Sequence, residues 1–448
     1  MTLRFGTDGV RGVANVELTP ELALALGRAA ARTFGASTVV IGRDTRASGP
    51  MLAGALASGF ASEGIAVTDL GVVPTPAVAH AGVAMAAAGA MISASHNPFG
   101  DNGIKFFLPG GRKLGAGAER RLEAELDRLL AGGSRGDVPT GGDVGRLLDA
   151  VGHRRAYVDH VVASIDGRAL GGCAVVVDCA EGAAFEVAPD VLRRLGADVT
   201  VIHAEPDGTN INEGCGSTHP GELQHAVVAS GADLGLAFDG DADRVLAVDA
   251  GGALVDGDQI IAVCALDRHR RGLLAAGTVV VTVMANLGFR LAMAEHGIAV
   301  IETAVGDRAV LEAMADGGYT LGGEQSGHVV FADLATTGDG LLTAVQLLDT
   351  VVRSGQPLAE LAAVMRRLPQ VLHNVEVAGR GADAMGSLAS HIAAAEAELG
   401  PGGRVLVRPS GTEPVVRVMV EAATAAQAEA VAARLVAALV PAPPLPAR

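Results

Sequence analysis

Residues 174–203, AVVVDCAEGAAFEVAPDVLRRLGADVTVIH, carry the pattern that decides the fold of this chain. An apolar run, a glycine-containing turn, a helix-like stretch and a second β-rich run follow one another, as in a parallel βαβ crossover. The same order occurs earlier, from Thr38 through GRDTRASG to IAVTDL, and later, in TVVVTVMANLGFRLAMAEHGIAVIET from Thr278. Because the strand runs are apolar throughout, we expect sheets that are covered on both faces.

Each of these units is followed by two strand-like runs around a polar, glycine-bearing loop. The three segments are MISASHNPFGDNGIKFF (91–107), LGLAFDGDADRVLAVD (234–249) and YTLGGEQSGHVVF (319–331). Polar residues clustered between buried strands are costly unless they bind something. Three copies of one plan, each with a different loop at the same place, predict a single site to which every copy contributes.

The predicted fold class is α/β, with three similar βαβ-based domains that have mixed sheets, followed by a smaller C-terminal α+β domain. The last domain contains RVLVRPSGTEPVVRVMVEA, which is typical of two strands around a loop. The predicted domains are 1–148, 149–252, 253–369 and 370–448.

The composition is that of an ordinary globular chain, with 448 residues, 49% apolar residues and 19% charged residues. Its 34 Lys and Arg against 50 Asp and Glu give a formal net charge of −16, which disfavours nucleic-acid and membrane partners. An anionic substrate therefore requires local clusters of cations and backbone N–H groups. The four cysteines lack C-x-x-C spacing and the N-terminus lacks a secretory signal, so we expect a cytoplasmic protein.

The DGDADR loop places Asp239, Asp241 and Asp243 at alternate positions. If the loop curls, three carboxylates converge on one hard cation, whereas a solvated acidic turn is the alternative for a generic D-x-D-x-D sequence. Three carboxylates enclosed by buried strands repel one another strongly without a cation. The strand context therefore favours a metal site, with Mg²⁺ as the simplest choice.

The SASHNP loop offers Ser95 as a nucleophile beside His96. Adjacent residues in a strand or turn are expected to point apart, so His96 is badly placed as the base for Ser95, and no G-x-S-x-G elbow is present. A turn that merely shapes the loop is the alternative. A phosphorylated Ser95 would bring a near-dianion that a metal, Lys105 and Arg244 can neutralise.

The GGEQSGH loop places Glu324, Ser326 and His328 at alternate positions between two strands. In extended backbone all three side chains would lie on one face, where they could bind the hydroxyls of a sugar. The alternative is a tight turn whose polar groups satisfy their own backbone.

The RPSGTEP loop has the chemistry of a phosphate clamp. Arg408 can give a bidentate contact, Ser410 and Thr412 give hydroxyls, and the backbone around Gly411 can form an anion-binding nest. A hairpin turn with incidental polarity is the alternative. This many hydrogen-bond donors for an anion, in an otherwise acidic protein, favour phosphate binding.

Taken together and in this order, the loops resemble the α-D-phosphohexomutase superfamily, from TDGVRG at Thr7 to RPSGTEPVVRVMVEA ending at Ala422. Glutamine in GGEQSGH and the motifs PDGTNINEGCGSTHP and TTGDG resemble the bacterial phosphoglucosamine mutases within it. Two features depart from the pattern. Ala242 stands where many relatives have glycine, and EGAAF after Asp178 is looser than the usual family turn.

The resemblance implies four domains around a central cleft, one Mg²⁺ per chain, a hexose or glucosamine 1,6-bisphosphate as activator and intermediate, and a homodimer. The site residues that it implies are the phosphoserine and metal ligand Ser95, the metal ligands Asp239, Asp241 and Asp243, the catalytic residues Lys105, Arg11 and Arg244, the sugar-binding residues Glu324, Ser326 and His328, and the phosphate-binding residues Arg408, Ser410, Gly411 and Thr412.

The activity implied by the resemblance is an isomerase reaction that interconverts glucosamine 6-phosphate and glucosamine 1-phosphate for UDP-N-acetylglucosamine and peptidoglycan precursors. Phospho-Ser95 would donate to O1, and the 1,6-bisphosphate would turn round before the 6-phosphoryl group returns to Ser95. Three alternatives remain. They are a phosphomannomutase or phosphoglucomutase of the same superfamily, a non-catalytic sugar-phosphate sensor, and a serine hydrolase that lacks an assignable base.

Overall fold

The structure, a computed structural model, describes residues 9–133, 136–376, 381–409 and 415–439. Two compact units make up the chain. The first covers Met1–Met284 and Gly297–Val364, and the second covers Ala285–His296 and Met365–Arg448. Within the described ranges, no helix is both long enough and apolar enough to cross a membrane.

The N-terminal part of the first unit contains a seven-stranded mixed sheet. Its elements are β1 (Val10–Val13), α1 (Pro20–Phe34), β2 (Thr38–Arg43), α2 (Gly49–Ala61), β3 (Ala66–Val72), α3 (Thr75–Ala84), β4 (Ala88–Ile92), β5 (Asp101–Leu108), β6 (Arg112–Lys113), α4 (Ala116–Leu130) and β7 (Leu147–Asp149). The strand order is β1-β5-β4-β2-β3-β7, with β6 paired to β5. Strands β2, β3, β4 and β7 are parallel, whereas β5 runs antiparallel to β4 and to β1.

The next part of the first unit contains a five-stranded mixed sheet. Its elements are α5 (Val151–Ala163), β8 (Ala174–Asp178), α6 (Val187–Arg194), β9 (Asp198–Ile202), α7 (Gly221–Ser230), β10 (Leu234–Phe238), β11 (Val245–Asp249) and β12 (Leu254–Val255). The strand order is β12-β11-β10-β8-β9, in which β8 is parallel to β9 and β10, and β11 is antiparallel to β10.

A third mixed sheet has four strands in the order β14-β13-β15-β16. Between residues 257 and 362 the elements are, in chain order, α8 (Gly257–Arg270), β13 (Thr278–Thr282), α9 (Leu287–Glu295), β14 (Ala299–Thr303), α10 (Asp307–Gly317), β15 (Leu321–Gly323), β16 (Val329–Phe331), α11 (Gly340–Ser354) and α12 (Leu358–Ala362). Strand β13 is parallel to β14 and β15, and β16 is antiparallel to β15.

The second unit combines α9 with an antiparallel sheet in the order β17-β19-β18. Its other elements are β17 (Gln370–Glu376), α13 (Gly381–Leu399), β18 (Arg404–Pro409), β19 (Val415–Glu421) and α14 (Ala425–Leu439). The buried Glu421 ties α9 to this sheet, because its carboxylate accepts the Leu287 N–H at 3.1 Å and lies 2.9 Å from Arg404 Nε.

The three mixed sheets share one arrangement that positions the candidate site. In each, a parallel strand ends, a polar loop follows, and the chain returns as an antiparallel neighbour, in β4–β5, β10–β11 and β15–β16. The sequence prediction of three related α/β units with mixed sheets and a smaller α+β unit is confirmed. Each loop therefore follows the carboxyl end of a parallel strand, where polar side chains can meet.

Helices α1 and α2 cross at two glycines that leave no room for a side chain. A Cβ on Gly27 would lie 2.3 Å from the Leu56 carbonyl oxygen, and a Cβ on Gly59 would lie 2.3 Å from the Leu24 carbonyl oxygen. Backbone atoms cannot give way as a flexible side chain can. The two glycines therefore set the distance between the helices, and so the packing of the first sheet.

We predict that Gly27→Ala destabilises the chain by about 1–3 kcal/mol, because the new methyl group overpacks the helix crossing. Gly54→Ala is the matched control on α2, since a Cβ there meets no atom within 4 Å. The control should be neutral or stabilising by about 0.5–1 kcal/mol, because alanine favours helix. Urea unfolding measures the stability of both variants. Equal stability of Gly27→Ala and wild type would contradict the inference that the helix crossing leaves no room for a side chain at this position.

Candidate active site

Ser95 lies in the turn between β4 and β5 and is only 1% exposed. Its φ of 53° is in the left-handed region, which non-glycine residues rarely adopt and which marks strained functional turns. The Ser95 N–H donates to Ser93 Oγ at 2.8 Å, and Asn212 Nδ2 donates to the Ser95 carbonyl at 2.9 Å. The turn directs the Ser95 hydroxyl to Asp239, to whose Oδ2 it donates at 2.6 Å.

The buried side chain of Arg46 supports this turn. Its Nε donates to Asp44 Oδ2 at 2.9 Å, and the two side chains form an ion pair that is fully buried. The guanidinium also donates to four backbone carbonyls of the turn, those of Ser95, Asn97, Pro98 and Asp101. Sequence reasoning missed Arg46, because GRDTRASG shows only that the segment is polar and not which of its two arginines points inward.

Asp239, Asp241 and Asp243 lie together in the turn between β10 and β11, at 1%, 0% and 3% exposure. One oxygen from each lies within 4.8 Å of the others. Asp241 Oδ1 and Asp243 Oδ1 are buried and accept no hydrogen bond from the described residues. A set of buried carboxylate oxygens with unused acceptor capacity fits a hard divalent cation. The trio could therefore hold a metal ion.

The pKa values of Asp239 and Asp243 are shifted in opposite directions. Burial raises the pKa of Asp239 well above its usual range, and the charges of Asp243 and Asp241 raise it further. Burial also pushes the pKa of Asp243 upward, but neighbouring cations, Lys105 foremost, outweigh it and hold that pKa well below its usual range. Lys105 Nζ lies 2.8 Å from Asp241 Oδ2 and 3.5 Å from Asp243 Oδ2. A single ammonium is thus shared by two carboxylates, and the Arg244 guanidinium is a second cation beside the trio, with its Nε 3.8 Å from Asp243 Oδ1.

His96 departs from the sequence expectation. Its Nδ1 lies 3.4 Å from Ser95 Oγ, so the two adjacent side chains lie on the same side. The expectation that they point apart was wrong, because the left-handed backbone of Ser95 breaks the alternation of an extended chain. Arg244 Nη1 lies 3.3 Å from the same Nδ1, and burial, followed by Arg244 and Arg11, lowers the pKa of His96. The serine donates to Asp239 instead, so a Ser–His–Asp relay does not form.

Glu324, Ser326 and His328 lie in a tight turn between β15 and β16. The prediction that they share one face of an extended segment was wrong, because Gly327 has a φ of 91° and reverses the chain. Glu324 Oε1 accepts the Gly306 N–H at 3.1 Å. The buried Ser326 Oγ has no hydrogen-bond partner in the part of the chain that the structure describes.

His328 connects this turn to the aspartate turn. Its side chain is buried, with Nδ1 3.7 Å from Asp243 Oδ2 and Nε2 3.7 Å from Asp307 Oδ2. The Val245 N–H donates to the Gly327 carbonyl at 3.1 Å. Two loops that are distant in sequence therefore lie side by side, as their shared place in the repeated plan predicted.

In the second unit, Arg408 on β18 stands directly opposite Arg417 on β19. Burial lowers the pKa of Arg408, and the charge of Arg417 lowers it further. Like charges in a cross-strand pair are unfavourable, so the pair suits an anion. Sequence reasoning missed Arg417, although it lies in the same segment. Ser410, Gly411 and Thr412 lie outside the described residues.

The remaining predicted cation, Arg11, lies on β1 opposite Gly103, and its charge acts on His96. Thr75 was missed by sequence reasoning, although its hydroxyl donates to Asp241 Oδ2 at 2.6 Å. Nothing in a threonine at the start of a helix signals such a contact. Together these side chains place a nucleophilic hydroxyl, three carboxylates and several cations in one buried region of the first unit.

Family models match the chain in four consecutive segments. They are phosphoglucomutase/phosphomannomutase alpha/beta/alpha domain I over residues 2–131, domain II over 155–252, domain III over 256–368, and the C-terminal domain over 357–438.

Individual relatives match over the full length. The phosphoglucosamine mutase of Frankia alni is 56% identical over 460 residues, covering 100% of both chains. The phosphoglucosamine mutase of Symbiobacterium thermophilum is 54% identical over 446 residues, covering 97% of this chain and 98% of that one. A phosphoglucomutase/phosphomannomutase family protein from Burkholderia thailandensis has a crystal structure that matches with a TM-score of 0.81 and 26% identity, covering 98% of this chain and 99% of that one.

We predict that Arg46→Met lowers the free energy of unfolding by about 3–5 kcal/mol, because it leaves the Asp44 carboxylate buried without its charged partner. Arg43→Met is the matched control, since Arg43 pairs with the partly exposed Asp69, and it should cost about 1 kcal/mol or less. Urea unfolding measures both variants. Equal losses would show that Arg46 contributes no more to stability than Arg43 does.

A second prediction concerns the repulsion among the three aspartates. Without divalent cations at neutral pH, Asp239→Asn should unfold at a higher temperature than wild type, because a buried carboxylate with a raised pKa is destabilising when ionised. For wild type we expect Mg²⁺ at one hundred times its Kd to add about 2.7 kcal/mol to the free energy of unfolding, and the variant should lose this stabilisation.

The control for this experiment is Asp316→Asn, which changes an exposed carboxylate on α10. It should leave both the metal-free melting temperature and the Mg²⁺ response unchanged. If metal-free Asp239→Asn melts at a lower temperature than metal-free wild type, repulsion among the three carboxylates does not destabilise the protein.

Proposed function

The chain belongs to the phosphoglucomutase/phosphomannomutase family, and we propose that it interconverts glucosamine 6-phosphate and glucosamine 1-phosphate. Full-length relatives at 54% and 56% identity are named phosphoglucosamine mutase, which supports this substrate. The observation that carries the reaction is the strained Ser95, whose hydroxyl donates to Asp239 at 2.6 Å beside the other two aspartates. Such a hydroxyl is placed to carry a phosphoryl group.

The metal assignment follows from the donor set. Asp239, Asp241 and Asp243, with an oxygen on Ser95, would hold one Mg²⁺ per chain. When bound, this ion would neutralise charge on the transferring phosphoryl group. The unused carboxylate oxygens of Asp241 and Asp243 support this assignment.

The reaction uses Ser95 as both donor and acceptor. The bond between the phosphorus and Ser95 Oγ breaks as the sugar O1 attacks, which leaves the 1,6-bisphosphate. After this intermediate turns round, Ser95 Oγ attacks the 6-phosphoryl group and the sugar O6 leaves. The proton that the sugar O1–H loses is taken up by Ser95 Oγ in the first transfer and passes from Ser95 Oγ to O6 in the second. We assign assistance of this proton transfer to Lys105, whose Nζ lies 2.8 Å from Asp241 Oδ2. Arg11 and Arg244, whose charges already act on His96, would stabilise the charge on the phosphoryl oxygens.

Substrate binding is assigned to the two remaining loops. Glu324, Ser326 and His328 would bind the sugar hydroxyls, which is consistent with the unsatisfied Ser326 Oγ. The non-reacting phosphate would be bound by Arg408, Ser410, Gly411 and Thr412. The opposed guanidinium of Arg417 supports an anion at this place. Domain limits after residues 148, 252 and 369 stay a prediction.

The cellular assignment is a cytoplasmic enzyme that acts on a small sugar phosphate and supplies UDP-N-acetylglucosamine, with a 1,6-bisphosphate as activator and a homodimer as the assembly. All four cysteines are buried and none is in a disulfide, which supports a reducing compartment. The acidic net charge of −16 supports the absence of a nucleic-acid partner.

The test compares glucosamine 6-phosphate with mannose 1-phosphate and glucose 1-phosphate, in the presence of Mg²⁺ and a trace of hexose 1,6-bisphosphate. We expect a preference for glucosamine 6-phosphate. Ser95→Ala should lose on the order of 10³-fold or more in kcat, as expected for removal of a nucleophile. Ser58→Ala, which changes an exposed hydroxyl on α2, is the control and should retain wild-type activity.

Each other outcome favours a named alternative. A preference for mannose or glucose phosphates keeps the mechanism and overturns the substrate. Full activity in Ser95→Ala overturns the phosphoserine. Binding of sugar phosphates without turnover in the phosphorylated wild type favours the non-catalytic sensor.

A further inference from the structure

A second cluster of metal-ligating side chains lies outside the aspartate trio. Asp178 ends β8, His203 follows β9, and Cys215 lies in the loop before α7. A carboxylate oxygen, a ring nitrogen and the Sγ of these three residues lie within 4.8 Å of one another. Asp178 and Cys215 are buried, and His203 is partly exposed, which leaves a path from solvent.

The geometry of Asp178 and His203 suits two ligands of one ion. Asp178 is fixed by its backbone neighbours, since Oδ1 accepts the Ala180 N–H and Oδ2 accepts the Gly216 N–H, both at 2.9 Å. His203 Nδ1 lies 3.1 Å from Asp178 Oδ1. This buried nitrogen nevertheless forms no well-directed hydrogen bond within the described part of the chain. Nitrogen and oxygen ligands of one tetrahedral Zn²⁺ stand about 3.3 Å apart, close to the observed separation.

The other ring nitrogen of His203 has the partner expected for a metal ligand. His203 Nε2 lies 3.2 Å from Glu222 Oε2. A metal-bound histidine typically donates its second ring N–H to a carboxylate, which fixes the tautomer and the ring orientation. Glu222 therefore leaves Nδ1 as the nitrogen available to an ion.

Backbone strain is concentrated around the same cluster. Ala180, Glu181, His203 and Asn212 all have φ between 50° and 60°, although none is glycine. Left-handed backbone at non-glycine residues persists only where the surroundings determine it, and it gathers at ligand sites. Ala180 directly precedes the EGAAF turn, and Glu181 is its first residue.

We propose that Asp178, His203 and Cys215 bind one Zn²⁺-class transition-metal ion. Oxygen, nitrogen and sulfur donors together favour such an ion over Mg²⁺, and three protein ligands leave a fourth position for water. On binding, the Cys215 thiol and the His203 imidazolium each release a proton to solvent, so that thiolate sulfur and neutral Nδ1 coordinate the ion.

The ion would brace two loops that contact the active site. The Asn212 N–H donates to the Ala180 carbonyl at 2.9 Å, and the Asn212 side chain donates to the Ser95 carbonyl at 2.9 Å. The Ala183 N–H donates to the Gly240 carbonyl at 2.8 Å. Because these are supporting contacts, the ion has a structural role and takes no part in phosphoryl transfer.

The test uses Co²⁺ as the probe on the full chain, freed of transition metals and with its cysteines reduced, in the presence of saturating Mg²⁺. We expect one equivalent of Co²⁺ to give a thiolate-to-metal charge-transfer band in the near ultraviolet. Added Zn²⁺ should displace the Co²⁺ and so abolish this band. The aspartate trio has no sulfur and cannot give this band. The titration is run at pH 8, because the Asp178 carboxylate raises the pKa of His203 to about 9 and the proton competes with the ion.

The variants separate the cluster from other cysteines. Cys215→Ala should abolish the band, whereas Cys264→Ala, a buried cysteine on α8, should retain it. Glu222→Gln should weaken Co²⁺ binding about 10–100-fold. His203→Asn should also lose the band, and asparagine tolerates the left-handed backbone at this position. If Cys215→Ala does not fold, His203→Asn is the variant that tests the proposed site.

No band in wild type, or an unchanged band in Cys215→Ala or in a folded His203→Asn, overturns the proposal. Zn²⁺ should raise the melting temperature of wild type and of Ser95→Ala equally. If Ser95→Ala is inactive but still binds Co²⁺, the metal site at Asp178, His203 and Cys215 is independent of the proposed mutase activity.

Discussion

Repulsion among three buried carboxylates is the constraint around which the first unit is organised. Asp239, Asp241 and Asp243 stand in one turn, and burial raises the cost of each charge. Two cations offset part of that cost for the three carboxylates: the Lys105 ammonium is shared by Asp241 and Asp243, and Arg244 Nε lies 3.8 Å from Asp243 Oδ1. The remaining negative charge makes the turn a place for a cation. A cation held there would attract the phosphoryl oxygens of the proposed substrate.

The repeated architecture explains how such a site is assembled from distant parts of the chain. Each mixed sheet supplies one loop, and close packing of the loops depends on glycines. A Cβ on Gly240 would lie 2.6 Å from the Ser95 carbonyl oxygen, and a Cβ on Gly327 would lie 2.3 Å from the Val245 carbonyl oxygen. At Ala242 the chain adopts a φ of 54°, a left-handed conformation that costs an alanine about 1–2 kcal/mol relative to glycine.

The sequence was sufficient to predict the fold class, the repeated units and the meeting of the serine and aspartate loops, because strand periodicity and loop position are local signals. It was insufficient for Arg46, since an inward arginine and an exposed one have the same letter. It also gave the wrong orientation for His96 and for the Glu324–His328 turn. Both errors came from assuming extended backbone where Ser95 and Gly327 have positive φ, a property that depends on tertiary packing.

The left-handed backbone at Ser95 determines the direction in which its hydroxyl points. In extended backbone, Ser95 Oγ and the ring of His96 would lie on opposite sides, and the hydroxyl would not be aimed by the turn. The left-handed conformation brings Oγ to within 2.6 Å of Asp239 and leaves the backbone carbonyl facing Arg46 and Asn212. Those two donors hold the carbonyl while the hydroxyl side of the turn faces the aspartates. The turn can therefore bear a phosphoryl group on one side without losing its support on the other, which suits the phosphoserine role proposed for Ser95.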